Sequence, residues 1–556
     1  MTRFSQLFKL DDRASMAKKP RDKMEALLEA PNTSDAVQAL DPIEFYDLYH
    51  AVGPSDAIVL LEYASSEQLQ TCLDLDIWRG DQVSDDELSP WVEQMLTLPD
   101  EKFSEFLHDL DPELLALYLH RNVHLYMAED KNDDVDIPED ESPNVAQSPD
   151  FTYWIAYPED TDKAELLRQL VDRLYAVLGI DKAWSTLEGM HFEMESDLEE
   201  TAYRFRTERL REYGFMPREE AAAIFANVDV TKEAAHMREE TNAELYVQPY
   251  PSTCKLEEAL VALDQASIAE TFFEKILARV ADRESIKVQL LALAQQVATY
   301  DGYQPHETQG FEDSMKLAVA NINIGLEFAS EQDEETAVRL VTHIPLKRLF
   351  SLGYSLTIEL QRRAKILIKT GLLSIIEDQP MSLLTTAQRD GIEGLLLARP
   401  RPAHSALTPF LSLKDIQSSA EIIADVATRE LFFGEGLHKT RDDISLLAYK
   451  NEIIQGIENV NFDNVAITYL TRRHLGASEP WDVIMEDELP SRCDVIQAVS
   501  EDNIFPLFRS NLPESNRDAL KRFAHQLRAE IDELWPETEE YPDPKLMPLL
   551  LIAQRD

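Results

Sequence analysis

Two segments of this chain repeat one device, "LDPIEFYDLYHAVG" from Leu40 and "LDPELLALYLH" from Leu110. In the first, Asp41 stands where a helix cap is expected, Pro42 suits the first turn and Glu44 completes a capping box. Phe45, Leu48, Tyr49 and Val52 then fall at helical spacing, and Gly53 stops the helix. In the second, Asp111 is the expected cap and Pro112 follows it. Between them, "SSEQLQTCLDLDIW" offers Ser65 with Gln68 three positions on, and "PDEKFSEFLHDL" sets Phe103, Phe106, Leu107 and Leu110 on one stripe. Amphipathic helices this short cannot each bury a face alone and must stack on neighbours. The expected fold is therefore mainly all-α, a solenoid-like stack of short helices.

One β element interrupts the pattern. "FTYWIAYP" alternates Phe151, Tyr153, Ile155 and Tyr157 on one side between Pro149 and Pro158 and reads as a strand. "AELYVQPYP", with Leu245 and Val247, is the comparable run nearby, so the two are expected to pair. Between them, "DTDKAELLRQLVDRLYAVLG" places Asp162 as cap and Glu165 to complete a box, ahead of an apolar stripe from Leu167 to Leu178. From Leu256 the chain reads helix after helix, interrupted near Pro400 and Pro402. The expected segments are 1–30, a short-helix region 31–128, an acidic linker 129–150, a strand-bracketed helical region 151–250, and helical regions 251–400 and 401–556.

Composition bounds the function. The 556 residues include 104 acidic against 53 basic ones, a formal charge of −51. Such a field opposes nucleic acid and anionic membranes, whose ligands are cationic side chains. Cys72, Cys254 and Cys493 lie far apart and form neither a disulfide framework nor a zinc motif. The N-terminus lacks a signal-peptide core, and no apolar run reaches bilayer length; a cytoplasmic protein without membrane insertion is expected.

Four segments carry a family resemblance: "LLEYASSEQLQTCLDLDIW", "YRFRTERLREYGFMPREEAAAIF", "LFSLGYSLTIELQRRAKILI" and "GLLLARPRP". In these, in the same order along nearly the whole chain, the sequence resembles the bacterial domain-of-unknown-function family 6178. The resemblance implies a mostly helical cytoplasmic bacterial protein and carries over no catalytic residue. At the level of fold alone, the N-terminal short helices also look like the cytoplasmic helical domain of MgtE-type magnesium transporters.

The candidate sites are few. In "EDKNDDVDIPEDE", Asp130, Asn132 and Asp134 occupy positions one, three and five of a calcium loop, Asp136 position seven and Glu141 position twelve. Position six, which needs glycine, is Val135, and "SPNVAQSP" spoils the exiting helix, so an acidic linker is the stronger reading and no bound cofactor is expected beyond calcium or magnesium there. His120 and His124 in "HRNVH" are spaced to share a helical face, two ligands short of a zinc site; His191, Glu193 and Glu195 in "HFEME" are weaker. In "GYSLTIELQRRAKILIKTG", Arg362, Lys365 and Lys369 share one helix face, while Leu356, Leu360, Ala364 and Leu367 line the other. That stripe either balances carboxylates within the fold or docks an acidic or phosphorylated partner. Trp78, Trp91 and Trp184 sit in helical apolar patterns and are read as core or domain-contact residues rather than ligand stackers. No phosphate loop, dinucleotide fingerprint or nucleophile elbow occurs. These features favour a scaffold or adaptor with a protein partner, over a divalent-cation-responsive regulator and, third, an enzyme of unrecognised type.

Overall fold

The computed structural model describes residues 20–127, 137–138, 144–240, 271–304, 307–370, 372, 383–403, 408–449, 453–454, 456–508, 512–537 and 548–554. Helices dominate, as the capping signals require. The Asp41 carboxylate accepts from the Ile43 amide at 2.9 Å ahead of Pro42–Val52, and Gly53, at φ +102°, ends that helix. Ser65 and Gln68 form the full reciprocal box at the start of Ser66–Asp76, at 3.1 and 2.9 Å. Glu44 completes no box there, pairing with Lys23 instead, and two further expected caps differ. Asp111 makes no side-chain cap at Pro112–Asn122, because its carboxylate is taken by Arg209. The helix Thr161–Leu178 is capped by Asp160 rather than Asp162; the Asp160 carboxylate accepts from both Asp162 and Lys163 amides at 3.0 Å.

The described residues divide into two compact units, each discontinuous in sequence. The first draws on Met1–Ala226, Met237–Val319 and Asp333–Phe350. Its main core runs from Val37 to Phe215 and joins the short N-terminal helices to Thr161–Leu178, Ile180–Phe192 and Glu195–Glu212. Leu167, Leu170, Val171 and Leu174 are all buried there, each stabilising by roughly 1.5–3 kcal/mol. Polar staples cross this core. The Asp76 carboxylate accepts from Tyr46 Oη at 2.8 Å and Trp91 Nε1 at 3.1 Å, and meets His50 Nε2 at 2.9 Å.

Strands are small. β1 (Trp78–Arg79) and β2 (Gln82–Val83) form a hairpin turned by Gly80, whose φ of +72° favours glycine. β3 (His124–Met127), β4 (Val145–Gln147) and β5 (Tyr153–Ala156) form an antiparallel sheet in the order β3-β5-β4. The expected strand at Tyr153–Ala156 is therefore present but central, with both edges occupied. Leu245 and Val247, its expected partners, lie outside the described residues.

The second unit draws on Asn227–His236, Ala320–Gln332 and Ser351–Asp556. Phe432, Phe433, Phe462 and Phe523 make an aromatic cluster with ring centroids 5.1–5.5 Å apart. Within it Arg429 and Asp463, both buried, pair through two hydrogen bonds of 2.7 and 3.0 Å, with Arg429 Cζ 5.0 Å from the Phe523 ring. A parallel pair, β6 (Ile484–Met485) with β7 (Ile552–Ala553), closes the far end of its sequence. Gly353 lies so close to another helix that a Cβ there would stand 2.0 Å from the Asn321 carbonyl oxygen. Among the described residues no helix is long and apolar enough to cross a membrane.

Candidate functional site

The helix Glu195–Glu212 buries Leu198, Ala202 and Leu210, and its spacing then turns Tyr203, Arg206 and Thr207 toward one cleft of the first unit. The opposite walls come from Trp78 and Gly80 of the β1–β2 hairpin, from Phe215 to Arg218, and from Gln295 and Thr299 on the helix Arg283–Asp301. Gln304 fastens the hairpin, its Nε2 donating to the Trp78 carbonyl at 2.7 Å and the Asp76 carbonyl at 3.3 Å. The cleft opens to solvent and has a volume of about 70 Å3.

Its electrostatics are set by two arginines one turn apart. Arg209 bridges two carboxylates, reaching Asp74 at 2.7 and 2.8 Å and Asp111 at 3.0 and 2.7 Å. Burial pushes the Asp74 carboxyl up from its ordinary range, against the pull of Arg209. Among the described residues Arg206 donates only to the main-chain carbonyl of Asp74, through Nε at 2.6 Å, and it lies over the Trp78 and Tyr203 rings at 5.2 and 5.9 Å. Burial lowers its guanidinium from the usual value, against the pull of the Asp74 carboxylate.

The residues singled out in the sequence are placed as follows. Asp130, Asn132, Asp134, Asp136 and Glu141 lie outside the described residues. Arg362, Lys365 and Lys369 are exposed on the helix Leu346–Thr370, opposite buried Leu360, Ala364 and Leu367, while Leu356, expected on the same apolar face, is half-buried. Arg362 is paired with Glu359 by two bonds of 2.9 Å, whereas Lys365 donates to the Gln361 amide oxygen at 2.9 Å. His120 and His124 do not share a helix face. The helix ends at Asn122, Val123 is extended, and His124 begins β3; His120 Nδ1 instead meets the Met190 carbonyl at 2.6 Å. Glu195 pairs with Arg121 at 2.6 Å. Among the described residues no group of three His, Cys, Asp or Glu side chains is placed to hold a metal. Trp78 and Trp91 are core residues, while Trp184 is half-buried and donates to Asp150 at 2.6 Å. Arg206 was not distinguishable in the sequence from Arg204, Arg209 and Arg211 around it, because what sets it apart is the hairpin and helix facing it.

A mainly α-helical chain with small accessory sheets and one arginine-lined cleft is the class of object these features define. The chain belongs to the family of unknown function DUF6178, whose model matches residues 3–553. No curated protein and no solved structure matches it, and the likeness to MgtE-type transporters gains no support.

Proposed function

We propose that this chain is an interaction protein, a scaffold or adaptor, and that one contact surface is the exposed face of the helix Leu346–Thr370. The observation that carries this reading is the composition of that face. Arg362, Arg363, Lys365 and Lys369 stand exposed around Ile366, which is 52% accessible. A cationic rim around an apolar centre is the make-up of a protein contact, and it suits an acidic or phosphorylated partner. The charge of −51 does not oppose such contact at short range, since at physiological ionic strength charges beyond roughly 8 Å are screened. Among the described residues only Arg362 of the three predicted cations is neutralised by a carboxylate.

The test is a photo-crosslinking side chain in place of Ile366 in the full chain, expressed in its native cytoplasm. A discrete adduct is expected, lost when Arg362, Lys365 and Lys369 are changed together to glutamate. An adduct that survives this charge reversal, or the same adduct from a crosslinker at exposed Glu421, would count against the assignment.

A further inference from the structure

Arg206 is held as a receptor group is held. Its Nε is spent on the Asp74 carbonyl and two aromatic rings flank its guanidinium, while the adjacent carboxylates are bridged by Arg209. Among the described residues Arg206 forms no ion pair, and its Nη1 and Nη2 donate to no protein group. These two nitrogens form the end of the guanidinium fork that takes two coplanar oxygens.

Other groups around the same cleft are similarly unspent. Trp78 Nε1 is buried and has no hydrogen-bond partner among the described residues. Gln295 Oε1 is also buried and unpartnered, and its Nε2 reaches only Thr299 Oγ1 at 3.5 Å, so its amide turns at little cost to present a donor. A second cation, Arg218, is anchored by Nε to the Tyr300 carbonyl at 3.0 Å. The absence of a side chain at Gly80 leaves room for it, since a Cβ there would stand 3.3 Å from Arg218 Nη1. Buried donors without acceptors are costly in a folded protein unless something occupies the space they line.

The geometry points to a binding site for a small oxyanion, a carboxylate or phosphate group borne by a compact metabolite, with Arg206 taking two of its oxygens. A volume of about 70 Å3 has room for roughly five water-sized groups, which is the size of a phosphate or of a short carboxylic acid. This assignment is independent of the docking face on the other unit.

Titration calorimetry of the full chain with sodium phosphate, sodium acetate and sodium propionate, at ionic strength fixed by sodium chloride, tests it. Saturable one-site binding of at least one anion is expected, and which one binds identifies the source of the oxygens. Arg206→Gln weakens that binding by about tenfold or more, as loss of a charged bidentate contact requires. Arg218→Gln weakens it by roughly threefold, because a single exposed cation contributes less. Arg204→Gln, exposed on the same helix, leaves it unchanged. No saturable heat with any of the three anions, or equal affinity in Arg206→Gln, overturns the proposal. Should Arg206→Gln fail to fold by circular dichroism, Trp78→Phe removes the Nε1 donor and keeps a ring; unchanged affinity in both Trp78→Phe and Arg218→Gln then overturns it.

Discussion

Glu530 is half-buried, and this burial, followed by the nearby Asp463 carboxylate, pushes its acid up to about 7, with Arg429 pulling the other way. The folded state thus holds this proton more tightly than the unfolded chain, whose glutamate titrates near 4.5. The associated stability is present below that lower value and is lost as pH rises through the folded one. Glu530→Gln cannot ionise, so its melting temperature is expected to match that of the parent near pH 4.5 and exceed it at pH 8. The gain corresponds to about 1–2 kcal/mol after allowance for solvent screening. A constant difference across that range, in melts followed by circular dichroism, would refute the assignment. Gln68 gives a second test at this scale. Besides its part in the capping box, its Nε2 donates to the Val37 and Leu40 carbonyls, each at 2.9 Å. Ser65→Ala should cost about 1 kcal/mol in urea unfolding, and Gln68→Ala about 2–3 kcal/mol, because the second change removes the partner of the Ser65 amide and the side-chain donor to both carbonyls, of which Val37 keeps the Leu40 amide. Equal costs would show that the carbonyl contacts contribute nothing.

Between elements, the second unit has a very close backbone approach at Gly353. Any side chain there meets backbone, which cannot rotate away, so Gly353→Ala must part the two helices. The expected loss is about 3 kcal/mol or more, against the small gain that alanine brings to an unconstrained helix position. Gly434, where a Cβ meets nothing within 4 Å, supplies the control: Gly434→Ala should fall within about 0.5 kcal/mol of the parent. What the sequence made legible follows the range of the interactions. The Ser65–Gln68 box could be read because its partners are three residues apart. Asp111 misled because its real partner, Arg209, lies 98 residues away. The strand at Tyr153–Ala156 was legible from alternation, but its neighbours β3 and β4 were hidden, being short and without a strong pattern. The Arg206 cleft was illegible for the same reason, since three separate stretches of chain compose it.

For the molecule as a whole, the formal charge of −51 implies self-repulsion that salt relieves. The melting temperature is therefore expected to rise as sodium chloride is added to a low-salt buffer. Calcium at matched ionic strength should give the same rise; a larger one would mean that the native state binds calcium, and loss of the excess when Asp130, Asp134 and Glu141 are changed to their amides would assign the ion to that stretch. Helical content was legible at this scale because capping and periodicity recur throughout, whereas the division into two discontinuous units was not, since it depends on contacts between distant segments. The bridge that Arg209 builds has a consequence for how the first unit comes apart. A single guanidinium clasps the end of Ser66–Asp76 and the start of Pro112–Asn122 from a third helix, Glu195–Glu212. None of the three can fray at that junction without abandoning charge in a half-dry setting, so their amides should surrender deuterium together, as one foldon rather than as three independent segments.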